Sequence, residues 1–267
     1  MRGRLLSSRF VLSGLLLVFA ISGCSKSTSP GFGTMSLRMT DAPGDFQEVN
    51  LAVTQVSAHL GEAGADSDST NGWQVLRADS FNVDLLTLRN GVFTTLALAK
   101  VPAGHYTQIR LKLGAGSNVV IGGVTYPLTV PSGLQSGYKL VGSFDVPANG
   151  LLDLALDFDA ARSIVLTGSG TYLLKPTVRV LPFSTAGSIT GHVLPDSIST
   201  AVYAIQAADT VGSAVTSSGN FTVSVLPAGT YSLAFHPETA YRDTTLAGVV
   251  VNSRTTTNVG TVQLTPQ

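Results

Sequence analysis

Beyond Thr34, hydrophobic and polar residues alternate with a period of two along most of the chain, the pattern of strands with one buried and one exposed face. Met35, Leu37 and Met39 alternate with Ser36, Arg38 and Thr40. Val49, Leu51 and Val53 do the same before the phase slips to Val56, Ala58 and Leu60, which predicts a bulge between the two runs. Residues 61–72 are small, acidic and polar and read as a surface loop, after which 73–76 opens another strand. The apolar segments 81–88 and 92–98 fit either a strand or a short helix. Between them, Asn90-Gly91 signals a tight turn.

Residues 106–113 give the clearest alternation, with Ile109, Leu111 and Leu113 on one face and Gln108, Arg110 and Lys112 on the other. Residues 151–159 mirror it with opposite charge. Leu152, Leu154, Leu156 and Phe158 should face a core, which leaves Asp153, Ala155, Asp157 and Asp159 in an outward row. A last strand is expected over 172–181, followed by a linker at 182–187. Six further strands are read at 188–193, 201–207, 220–226, 230–236, 246–251 and 258–264. These observations predict an all-β protein: a larger sandwich over 34–182 and a small immunoglobulin-like sandwich over 187–267. One motif occurs in both halves, Val101-Pro102-Ala103-Gly104-His105-Tyr106 and Leu226-Pro227-Ala228-Gly229-Thr230-Tyr231. It reads as shared hairpin architecture, with each Tyr ring covering a sandwich edge and its hydroxyl wet.

The first residues break this pattern. Arg2, Arg4 and Arg9 precede an apolar run from Phe10 to Ala20, and Ile21-Ser22-Gly23-Cys24 follows. This resembles the lipobox of bacterial lipoproteins, in which residues 1–23 are a cleavable export signal and Cys24 becomes the acylated first residue. The alternatives are an ordinary signal peptide with an incidental cysteine and a short transmembrane anchor; against the latter, the apolar run is shorter than the roughly 20 residues that span a bilayer. Ser25 in place of an aspartate implies the outer membrane in a Gram-negative host. Residues 24–33 then form a polar tether. Cys24 is the only cysteine, so neither an intramolecular disulfide nor a thiolate zinc site is available.

Removing Arg2, Arg4 and Arg9 leaves 13 basic against 16 acidic residues, a nearly neutral chain with no basic stripe for nucleic acid. The expected partners are a membrane, through the lipid, and a glycan or an envelope protein.

Two further resemblances cover the exported part. Residues 34–182 resemble the domain-of-unknown-function family 4382 through Met39-Thr40-Asp41-Ala42-Pro43-Gly44-Asp45, Val83-Asp84-Leu85-Leu86, Pro102-Ala103-Gly104-His105-Tyr106, Asp157-Phe158-Asp159-Ala160, Ser163-Ile164-Val165 and Leu174-Lys175-Pro176. That resemblance implies no activity. Residues 187–267 are similar to the carboxypeptidase-regulatory-like sandwich through Gly187-Ser188-Ile189-Thr190-Gly191-His192-Val193 and Ser218-Gly219-Asn220-Phe221, which implies a transthyretin-like fold and an accessory module.

No Gly-x-Ser-x-Gly nucleophile turn is present, and Gly168-Ser169-Gly170 reads as a hairpin turn. His59, His105, His192 and His236 are scattered, with no two at metal-ligand spacing. The loop from Asp66 to Gly72 fits a calcium loop poorly, because Gly72 comes one residue late and Arg77 occupies the place of the bidentate glutamate. Asp41, Asp45, Asp157 and Asp159 allow two readings. They could converge on calcium, the one cofactor these side chains suggest, or they could serve the fold, Asp41 in a turn and Asp157 and Asp159 in cross-strand pairs with Arg110 and Lys112. The leading functional expectation is a non-enzymatic envelope lipoprotein with a structural, adhesive or binding role. A carbohydrate-binding alternative uses Trp73, Tyr126, Tyr138 and Tyr172 as stacking faces. A hydrolase with paired aspartates is the weakest alternative.

Overall fold

The structure is a computed structural model describing residues 31–42, 44, 46–61, 72–131, 137–238 and 240–267. Cys24, Asp45 and all of the acidic loop except Gly61 and Gly72 lie outside the described residues.

The fold is all-β, as the alternation requires. Among the described residues, thirteen strands build the larger sandwich. They begin with β1 (Phe32–Ala42), β2 (Glu48–Leu60), β3 (Trp73–Arg77), β4 (Phe81–Asp84), β5 (Thr94–Pro102) and β6 (Gly104–Leu113). Next come β7 (Asn118–Ile121), β8 (Val124–Thr129), β9 (Tyr138–Val146) and β10 (Leu151–Asp159). After the single-turn helix α1 (Ala160–Ser163), β11 (Ile164–Leu166), β12 (Tyr172–Leu174) and β13 (Val178–Pro182) complete it. One sheet has the order β13-β10-β1-β5 and the other β11-β12-β8-β7-β2-β6-β9, with β3 and β4 also paired to β2. Met35, Leu37, Met39, Leu154 and Leu156 from the first sheet meet Val49, Leu51, Val56, Ile109 and Leu111 from the second in one core. Burial of each such side chain contributes roughly 1.5–3 kcal/mol. The bulge read from the phase slip is present: the β2–β6 register shifts between Val53 and Gln55.

The smaller sandwich holds β14 (Ala186–Leu194), β15 (Thr200–Gln206), β16 (Asp209–Val215), β17 (Asn220–Pro227), β18 (Gly229–Pro237), β19 (Thr244–Val251) and β20 (Thr256–Gln263). Its sheets are ordered β17-β14-β20 and β16-β15-β18-β19 and share a core of Ile189, Val202, Phe221, Val223, Leu233 and Phe235. The additional strand, β16, escapes the sequence pattern because its small residues alternate weakly and only Gly212 and Ala214 are buried.

Four local expectations are corrected. The tether does not reach residue 33, since Phe32 and Gly33 already pair with Pro102 and Val101 of β5. Residues 172–181 are not one strand: β12 belongs to one sheet and β13 to the other, and the chain crosses at Lys175-Pro176-Thr177, where Pro176 has no N–H to continue a ladder. The expected linker is a three-residue turn, in which the Thr185 N–H donates to the Pro182 carbonyl at 3.0 Å before β14 begins. The apolar segment at 81–88 is both a strand and a helix, because the Asp84 carboxylate accepts from the Leu86 N–H at 3.1 Å and turns the end of β4 into a 3-10 turn.

The repeated motif has a buried purpose rather than a wet one. Tyr106 and Tyr231 are both fully buried, and each hydroxyl donates to the carbonyl four residues upstream, Tyr106 to Pro102 at 2.9 Å and Tyr231 to Pro227 at 2.7 Å. Burial pushes the Tyr106 phenol up to about 12. Among the described residues, no helix is long and apolar enough to cross a membrane.

Candidate functional site

The second face of β10, expected to carry an exposed acidic row, is largely covered. Ala155 and Asp157 are buried because the smaller sandwich docks against this side of the β13-β10-β1-β5 sheet. Asp157 lies opposite Arg179 on β13. The Arg179 guanidinium donates to the Asp157 carboxylate at 2.5 Å and through its other amino group to the Val211 carbonyl of β16. Gly212 permits this approach: a Cβ there would lie 3.1 Å from Leu226 and from Val223 and 3.3 Å from the guanidinium itself.

Asn90 makes a second clasp. In the left-handed conformation at φ 56°, its side-chain amide donates to the Val215 carbonyl at 2.9 Å and its side-chain oxygen accepts from the Thr222 N–H at 3.4 Å. The Asn-Gly signal was legible in sequence, whereas its use as an intersandwich bridge was not.

A third contact group fixes the wall beside this clasp. Arg38 donates to Asp153 and lays its guanidinium 3.6 Å above the Phe183 ring, which packs 5.2 Å from Phe93. Between this wall and the smaller sandwich lies a cleft of about 590 Å³. Its floor carries the hydroxyls of Ser188, Thr190, Thr222 and Ser224, which alternate with core residues Ile189 and Val223. Asn90, Gly91, Val225 and Arg254 line it in left-handed conformations, at φ 56°, 80°, 56° and 61°. For a β-branched residue such as Val225, that conformation costs about 1–3 kcal/mol. It is held by burial of the side chain and by the bulge that sets Ser224 and Val225 against Ser188.

The aspartates meet at the other end of this face. Asp41 is buried, and one carboxylate oxygen accepts from the Ala160 N–H at 3.2 Å while the other has no partner among the described residues. Burial raises its pKa well above the usual range against the pull of that N–H, and Asp157 and Asp159 raise it further. Burial likewise pushes Asp157 up to about 6, against the opposing pull of Arg179. Asp159 caps α1, accepting from the Arg162 N–H at 2.9 Å. The cross-strand partner of Asp157 is therefore Arg179. Arg110 and Lys112 cannot take that role because β6 belongs to the opposite sheet, and Arg110 instead covers Trp73 at 3.6 Å. Among the described residues, no group of three or more His, Cys, Asp or Glu side chains could hold a metal ion.

The aromatic residues proposed for stacking are spread over separate places. Trp73 packs edge-on to His59 at 5.1 Å. Tyr126 and Tyr172 meet at 5.1 Å against the core, and Tyr138 donates its hydroxyl to the Pro176 carbonyl. The cleft aromatics Phe93 and Phe183 escaped the sequence reading because one follows a turn and the other sits in what looked like a linker.

One arrangement of catalytic residue types has no sequence signature. On the exposed β6–β9 surface, His105 Nδ1 lies 2.9 Å from Asp145 and its Nε2 lies 3.5 Å from the Ser143 hydroxyl. The order is that of a nucleophile, base and orienting acid. With Asp145 84% exposed and none of the three lining a described cavity, the chain of contacts lacks the enclosed pocket that such chemistry uses.

These features define an all-β protein of two joined sandwiches with a polar cleft at their junction. It belongs to the family described as Domain of unknown function (DUF4382), which matches residues 32–176. No curated protein matches the chain. Among solved structures it is similar to the TIE protein of Bacillus anthracis, at 10% identity and a TM-score of 0.23, covering 88% of this chain and 34% of that one. The chain thus spans about a third of that protein's length. It is also similar to GBS52, the minor pilin of Streptococcus agalactiae, at 12% identity and a TM-score of 0.21, covering 87% and 96% of the two chains. The shaft pilin spaA from Lactobacillus rhamnosus GG gives 8% identity and a TM-score of 0.24, covering 88% and 98%.

Proposed function

We propose that this chain is a non-enzymatic cell-envelope lipoprotein, anchored through acylated Cys24, whose two sandwiches act as one rigid arm with a structural, adhesive or binding role. The observation that carries this reading is the junction: Arg179, Asp157 and Asn90, polar groups that could have done chemistry, are spent on joining the sandwiches. The smaller sandwich, in this reading, is an accessory module of the carboxypeptidase-regulatory type. The basic, apolar and small-residue segments before Cys24 support export and a lipid anchor, and Ser25 in place of an aspartate supports the outer membrane in a Gram-negative host.

The test is made in a producing cell. The wild-type chain should label with palmitate and stay with the membrane fraction, and Cys24→Ala should lose both; membrane retention of that variant would overturn the anchor. Labelling of Ser143 by a fluorophosphonate probe would overturn the non-enzymatic reading.

A calcium ion held by Asp41, Asp45, Asp157 and Asp159 is the competing use of the acidic corner, motivated by the buried oxygen of Asp41 that has no partner among the described residues. A melting temperature that rises with millimolar calcium and falls back with chelator would favour it.

A further inference from the structure

We propose that the cleft between the sandwiches binds a short acidic saccharide, with its carboxylate on Arg254 and its sugar faces against Phe93 and Phe183. This goes beyond the envelope reading and does not depend on the lipid anchor. The cleft volume, about 590 Å³, lies within the roughly 300–1,000 Å³ of small-molecule sites. Its two sides differ in chemistry. The larger sandwich contributes two aromatic rings, one pinned by Arg38, and such rings cover the apolar faces of pyranoses. The smaller sandwich contributes a hydroxyl-rich floor, where Ser188 and Thr256 already exchange a hydrogen bond at 2.8 Å and Thr190 lies opposite Thr222 in the ladder. A ligand with many hydroxyl groups matches such a floor, since each lining group can donate or accept.

Charge narrows the class. Arg254 is exposed, and its backbone is tied down by donation from its N–H to the Ala186 carbonyl at 2.7 Å. Among the described residues, no Asp or Glu lines the cleft and no carboxylate pairs with Arg254. The charge of Arg38, by contrast, is matched by Asp153. An open guanidinium beside ring faces and hydroxyls selects a sugar bearing a carboxylate over a neutral one. The rim of the cleft is tied to the smaller sandwich by the Asn90 side chain, which bonds to Val215 and Thr222.

The experiment is isothermal titration of the purified full chain with trigalacturonic acid at low salt. Binding is expected, weakened about tenfold by Arg254→Gln, weakened also by Phe93→Ala, and unchanged by Arg242→Gln, which removes the same charge elsewhere on the smaller sandwich. Arg254 is a surface residue, so its variant decides the matter even if Phe93→Ala unfolds. Four results would each overturn the proposal: no binding of trigalacturonic acid, no effect of Arg254→Gln, equal binding of a neutral trisaccharide, or equally tight binding of triglutamate.

Discussion

Arg179 stands opposite Asp157 in the ladder between β13 and β10, and the same guanidinium that holds this carboxylate at 2.5 Å also reaches across to the smaller sandwich. The ion pair is nearly buried, with side-chain exposures of 23% and 11%. A pair so placed contributes little against an apolar substitute, but losing one partner strands the other in a medium that solvates it poorly.

Arg179→Met should therefore cost about 3–5 kcal/mol and should split a single calorimetric transition into two as the sandwiches uncouple. Changing both partners together, Asp157→Leu with Arg179→Met, should recover most of the loss but not the tie to Val211. A single transition in Arg179→Met at wild-type temperature would show that the junction does not depend on this residue.

Stability should depend on pH in a definite direction. The folded-state pKa of Asp157 is raised from about 4 to about 6, so the folded chain holds this proton more tightly than the unfolded chain. The favourable contribution is full below about pH 4 and is lost as pH rises through about 6, a change of roughly 3 kcal/mol. The raised pKa of Asp41 acts in the same direction. Denaturation midpoints measured from pH 4 to 7 should fall, and Asp157→Asn should flatten that slope. A slope of the opposite sign would mean that Arg179 outweighs burial.

The two buried tyrosine hydroxyls should be separable in the same way. Tyr106→Phe should cost about 1–2 kcal/mol in the larger sandwich, and Tyr231→Phe a similar amount in the smaller one, because each leaves a proline carbonyl without its donor. Hydrogen exchange on each variant should show loosened protection in its own sandwich; unchanged exchange around β6 or β18 would contradict this role.

Asn90 combines conformation with bridging. Asn90→Ala should cost about 2–3 kcal/mol by losing two hydrogen bonds and placing a Cβ-bearing residue with no compensating side chain at φ 56°. Asn90→Gly should regain about 1 kcal/mol of that, since glycine adopts the conformation freely. Equal losses for both variants in chemical denaturation would show that the turn conformation contributes nothing.

Period-two alternation determined the all-β class, because a strand places successive side chains on opposite faces and water sorts them by polarity. The slip at Val53–Val56, the turn at Asn90-Gly91 and the shared Pro-Ala-Gly motif were legible for the same local reason. The sequence pattern cannot tell solvent from a second folded body, and both admit polar side chains. Hence Asp157 looked exposed, Tyr106 looked wet and residues 182–187 looked like a linker. The tertiary structure alone decided that the acidic row of β10 is covered, that its partner is Arg179 rather than Arg110, and that Phe93, Phe183 and Arg254, up to 161 positions apart in the chain, share one cleft. Those contacts depend on how two closed sandwiches dock, a long-range choice that strand periodicity leaves undetermined.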